Sequence, residues 1–176
     1  MRVPEGAASI SYSVEPDTVE CSGRNGPERS VTLTVHAFNP GPEPAACRLI
    51  SIRMPLGEGG AALTADPSTI RPAPGRSTPW HVGVAGEGEW DCFPLPPQMA
   101  IEPARRASFV LSHVVVNTVP DRDDVRLRIR EFHGPDSREV ELRIRKTPST
   151  TSVSSPSAAP EHANRPPAAG ADTPPV

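Results

Sequence analysis

"DDVRLRIREFHGPDSREVELRIRK", residues 123–146, is the stretch that decides the fold. Apolar and charged residues alternate along both halves, the period-2 pattern of strands with one buried face. Gly134 and Pro135 stand between the halves as a turn signal. The stretch reads as a β-hairpin. Val125, Leu127 and Ile129 face a core from one arm, and Val140, Leu142 and Ile144 from the other. The opposite face carries Arg126, Arg128, Arg130, Glu139, Glu141, Arg143 and Arg145.

Two registers preserve that core face. A Gly134-Pro135 turn sets Arg130 against Glu139 and Arg128 against Glu141, leaving only Arg126 and Arg143 as apposed like charges. A Pro135-Asp136 turn instead opposes Arg128 to Arg143 and Arg126 to Arg145. Cross-strand charge pairs contribute ~0.2–1 kcal/mol each, favourable or unfavourable by sign, so the first register wins by about 1 kcal/mol. Its outer face is a solvated charge ladder that also discourages edge-to-edge association. The functional alternative is contact with an anion or acidic protein through Arg126, Arg143, Arg145 and Lys146. Exposed aromatic stacking residues for nucleic acid are not evident, so negligible DNA or RNA binding at physiological salt is expected.

Upstream, the same alternation continues. Ile10, Tyr12 and Val14 alternate with serines, and Val31, Leu33, Val35 and Ala37 alternate with Thr32, Thr34 and His36 until NPGPEP (39–44) stops the run. A strand around 47–52 is apolar on both sides and ends at Pro55 and the turn LGEGG. Short candidates follow at 61–64, 80–85 and 88–93. In 107–118, Phe109, Leu111, His113 and Val115 are expected on one face, with His113 as a core histidine, whereas His36 is expected in solvent. Twenty-four prolines leave little room for helices. The fold class is all-β: an antiparallel sandwich of about seven to nine strands.

Composition changes after Lys146. Residues 147–176 are rich in Pro, Ala, Ser and Thr and lack aromatic residues. They bury too little apolar surface to offset chain entropy and are expected to be disordered. The domain is therefore 1–146, with 147–176 as its tail.

A net charge of −3 gives no global attraction to nucleic acid or anionic lipid. Every basic residue but one is arginine, a skew matching a GC-rich, actinobacteria-like bacterial genome. No apolar stretch approaches the ~20 residues needed to span a bilayer, and the first residues lack a signal-peptide core, so a cytoplasmic address is expected. Cys21, Cys47 and Cys92 have spacings that match no zinc motif and read as buried thiols.

Candidate chemistry is sparse. Asp121, Asp123 and Asp124 in one loop offer hard oxygens for calcium, or a polar turn. Trp80 and Trp90 flank a glycine-rich loop, where they form either a sugar-stacking platform or core. The histidines show no metal-ligand spacing, and no cofactor or catalytic residue is indicated.

ISYSVEPDTVE (10–20), VTLTVHAFNPGPEPA (31–45) and FVLSHVVVNT (109–118) together resemble bacterial immunoglobulin-like or fibronectin-type modules, over about residues 8–146. The chain departs from antibody-type domains in lacking their cysteine–tryptophan–cysteine core and the tyrosine near the penultimate strand. The resemblance implies a non-catalytic interaction or assembly module with a protein partner, and leaves self-association open. The rival readings are a carbohydrate-binding sandwich using Trp80 and Trp90, and a small metal-dependent enzyme.

Overall fold

A computed structural model describes residues 10–21, 29–76, 79–96, 99–117, 124–133 and 136–148. Twelve strands form among them: β1 (Ser11–Glu15), β2 (Thr18–Cys21), β3 (Arg29–Phe38), β4 (Ala45–Ala46), β5 (Leu49–Arg53), β6 (Arg71–Pro74), β7 (Trp80–Gly86), β8 (Glu89–Pro94), β9 (Ala100–Ile101), β10 (Arg106–Val116), β11 (Val125–His133) and β12 (Asp136–Pro148). One 3-10 turn, Pro67–Thr69, is capped by the Asp66 side chain on the Ser68 amide. The sheets are β1-β3-β10-β6, β2-β12-β11-β5-β8-β7 and the small β4-β9 ladder. The all-β sandwich read from the alternation is the observed fold.

The hairpin adopts the register that its charges favour. Arg130 faces Glu139, Arg128 faces Glu141, Arg126 faces Arg143, and the described ladder closes at His133 opposite Asp136. Gly134 and Pro135, the expected turn, lie outside the described residues. The core is made where the two large sheets meet. Leu33, Val35, Phe109 and Leu111 come from one side, and Ile50, Ile52, Leu127, Ile129 and Ile144 from the other, all fully buried. Each such side chain contributes on the order of 2 kcal/mol of transfer free energy. Trp80 packs edge-on against Phe109, with ring centroids 5.3 Å apart.

Three sequence expectations change. His113 leaves the apolar face: a register shift between Leu111 and Val114 inserts a bulge, so Val114 and Val116 are buried and His113 is exposed at φ 61°. The one extra residue breaks the parity on which the alternation argument relied. His36 is 9% exposed instead of solvated, its Nδ1 2.9 Å from the Ser108 hydroxyl on β10. The candidate strand at 61–64 is a loop, tied by a bridge between Leu56 and Thr64.

β12 continues past Lys146 to Pro148 because β2 pairs with it in parallel, Arg145 opposite Thr18 through Pro148 opposite Cys21. The expected tail from 149 onward lies outside the described residues.

Candidate functional site: an arginine cleft on the outer sheet face

The outward parity of β11 and β12 is extended by a third strand. β5 lies antiparallel to β11 and sets Arg53 directly opposite Arg128. One row across the sheet therefore reads Glu89–Arg53–Arg128–Glu141, and the next brings Arg126 against Arg143. Directly opposed residues have Cβ atoms about 5 Å apart, so both like-charged pairs are close enough to repel.

Arg53, Arg126, Arg128 and Arg143 line an open cleft of about 690 Å³, completed by Met54, Pro55, Ala61 and Asp124. Glu141 serves two of these arginines: Arg126 Nη1 lies 3.1 Å from Oε2, and Arg128 Nε lies 3.5 Å from Oε1. All four arginines are exposed. Among the described residues, no carboxylate comes within ion-pair distance of Arg53 or Arg143.

One wall of the cleft is held from below by the chain's single lysine. Lys146 is 4% exposed, and its Nζ donates to the Ala62 carbonyl and to Asn117 Oδ1, each at 2.8 Å. Asn117 Nδ2 in turn donates to the carbonyls of Gly57, Gly59 and Ala62. The 57–62 loop thus hangs on an ammonium-amide hub. This corrects the expectation that Lys146 helps to present charge at the surface. The strand pairing with β2 carries it under the loop, where the Ala62 carbonyl and Asn117 Oδ1 accept hydrogen bonds from its ammonium.

The remaining candidates separate. Arg145 projects into solvent, 3.9 Å from Asp124, and does not line the cleft. Asp124 is therefore beside arginines on both sides. Asp121 and Asp123 lie outside the described residues, and no cluster of three metal-ligating side chains occurs among the described ones. Trp80 and Trp90 are 4% and 2% exposed. Trp80 reaches a second depression with Arg76, Glu102 and Arg106, but a buried indole offers no face on which a sugar ring can stack. Both tryptophans are core, because their strands turn them toward Phe109 and Ile52, respectively.

A second charged group was missed in the sequence although its parity marked it. Glu131 continues the series Val125, Leu127, Ile129 and is likewise fully buried. Its carboxylate is paired with His133 Nε2, and Arg138 Nη1 lies 4.0 Å away. His133 Nδ1 is 2.7 Å from the Ala46 carbonyl, and Arg138 also donates to the Ile10 carbonyl. The Tyr12 phenol faces the carboxylate; burial first, and then the charge of Glu131, drive its pKa well above the usual range. Burial, with Glu131 second, pushes the Cys47 thiol up to about 12. Cys92 is raised by burial and Asp91, and Cys21 by burial. All three free thiols are held protonated and shielded, the opposite of what nucleophilic use requires.

No family model and no curated protein matches the chain. Among solved structures it is similar to a cohesin of Acetivibrio cellulolyticus scaffoldin B, crystallised with a dockerin, at 10% identity over 80% of this chain and 94% of that one, TM-score 0.42. A Vibrio harveyi exo-β-N-acetylglucosaminidase is similar at 8% identity over 79% of this chain, TM-score 0.37; the chain spans only 18% of that enzyme. Likenesses this distant carry no functional argument. No helix among the described residues is long and apolar enough to cross a membrane.

Proposed function

We propose that the protein is a non-catalytic interaction module of immunoglobulin-like topology that binds an acidic segment of a partner protein on the outer face of β5, β11 and β12. The single observation carrying the reading is the arginine cleft, with four guanidinium groups contributed by three adjacent strands and two of them lacking a carboxylate among the described residues. Charge complementarity of this kind speeds encounter and sets register more than it adds raw affinity. Rigid strands hold the groups in place, as a recognition surface requires.

The topological part of the reading is supported by strand order. In immunoglobulin-type sandwiches one sheet runs A-B-E-D and the other contains C-F-G. Here β1-β3-β10-β6 follows the first order, and β5-β11-β12 follows the second. The departure is β7 and β8, which enter the chain after the D-like strand β6 and extend the second sheet beyond β5.

The test is capture of binding partners from the native host at low salt by the full chain and by the double variant Arg53→Glu/Arg143→Glu. A partner retained by the wild type, released by raising salt and lost in the variant, followed by direct binding of its acidic segment, supports the reading. Equal capture by both proteins excludes this face.

A further inference from the structure

We infer that the acidic feature recognised by the cleft is a phosphomonoester carried on a protein side chain. This inference rests on the reading of the arginine cleft as the binding face. Three observations lead to it.

The first is charge. Four guanidinium groups line the cleft with Asp124, and Glu141 bridges two of them, so the cleft itself holds two guanidinium groups in excess; the next carboxylate outward is Glu89, opposite Arg53 on β8. A phosphomonoester carries −1.5 to −2 near neutral pH, whereas a carboxylate carries −1. The second is geometry. Arg53 and Arg143 stand on the two strands that flank β11, one opposite Arg128 and the other opposite Arg126. Both line the same cleft, one from each side of β11. A phosphate presents three acceptor oxygens to such arms and accepts paired N–H donors from each; a carboxylate presents two oxygens and is filled by one fork. The third is that two directly opposed arginine pairs repel each other in the free protein. A dianion between them removes that repulsion, so binding raises the stability of the sheet.

The rest of the surface indicates the carrier. Met54, Pro55 and Ala61 form an apolar wall beside the arginines, suited to the residues that flank a modified side chain. Among the described residues, no aromatic ring lines the cleft to stack on a nucleobase. Among the described residues, the exposed large apolar side chains, Val84, Phe93, Leu95 and Met99, lie on β7, on β8 or in the segment following it and do not line the cleft, so they give it no membrane-inserting rim. A peptide-borne phosphate is the occupant that fits.

The experiment passes immobilised full chain over two matched peptide libraries, one with a central phosphoserine or phosphothreonine and one with glutamate there. Vesicles containing phosphatidic acid and a single-stranded oligonucleotide serve as further arms. Expected is at least tenfold preference for the phosphorylated library, loss of that preference in Arg53→Gln/Arg143→Gln, and a circular dichroism spectrum unchanged by the substitutions. Competition by free O-phosphoserine at millimolar concentration and a rise in melting temperature with it are also expected. Equal retention of both libraries overturns the phosphate inference and leaves the acidic-partner reading standing. Retention of neither overturns both. Binding undiminished in the double variant, or stronger binding to vesicles or oligonucleotide than to phosphopeptide, overturns the inference as well.

Discussion

One strand, β11, carries the molecule's two charge clusters on its opposite faces. Inward, Glu131 is fully buried and paired with His133, with Arg138 4.0 Å from its carboxylate. Outward, Arg126 and Arg128 share Glu141, beside Arg53 and Arg143, which have no carboxylate partner among the described residues. The inner cluster is compensated because a lone charge in a medium of low dielectric costs several kcal/mol. The outer cluster tolerates imbalance because water screens it. A deficit of counter-charge persists where solvent makes it cheap, and there it is available to a ligand. Burial separates charge that maintains the structure from charge that can recognise.

The contrast breaks first if the groups paired with Glu131 are removed. Arg138→Met with His133→Phe leaves Glu131 buried without compensation, and a loss of about 3–5 kcal/mol in urea unfolding is expected. A loss under 1 kcal/mol would mean that water reaches the carboxylate. Glu131→Gln costs less, because the half-exposed His133 and Arg138 side chains it abandons regain hydration. Next in size is Lys146→Met. It deprives the Ala62 carbonyl and Asn117 Oδ1 of a donor, and about 2–3 kcal/mol is expected, accompanied by faster hydrogen exchange in the 57–62 loop.

Alkaline titration sharpens the comparison further. Cys47 has a folded-state pKa of about 12 against a reference of 9.0, so the folded chain keeps a proton that the unfolded chain releases. Its stabilising contribution is complete below pH 9 and is lost as pH rises toward 12. At pH 10 that loss is on the order of 1 kcal/mol, and Cys47→Ala should flatten this part of the pH–stability curve. The smallest effect belongs to the outer face. Arg53→Gln/Arg143→Gln should change stability by no more than about 0.5 kcal/mol, because relief of the apposed Arg126 and Arg128 is set against loss of Glu89 opposite Arg53. A large destabilisation would make the cleft arginines structural and remove the contrast altogether.

The hairpin was legible because strand alternation and cross-strand charge are local properties; both faces and the register from Arg126 opposite Arg143 follow from them. The same parity places Glu131 inside, yet its charge argues for the surface, and only the sheet-to-sheet packing that brings Tyr12 and Cys47 beside it resolves the conflict. Arg53 could not be assigned to the cleft from sequence, since its pairing with Arg128 joins strands more than seventy residues apart. The bulge at His113 was hidden for a different reason. A register slip moves side chains between faces without changing the composition of the segment. Trp80 and Trp90 stand beside turns in the sequence, and turn proximity says nothing about which side of a strand they occupy.

Lys146 is the chain's only lysine, and folding places its amine among carbonyl oxygens. The folded domain therefore presents no side-chain amine to an acylating reagent. Labelling of Lys146 by an activated ester proceeds through opening of the β12 end or the loop above it, so its rate is a built-in clock for that opening. A phosphorylated peptide that tightens the neighbouring cleft would slow the clock without touching the lysine itself.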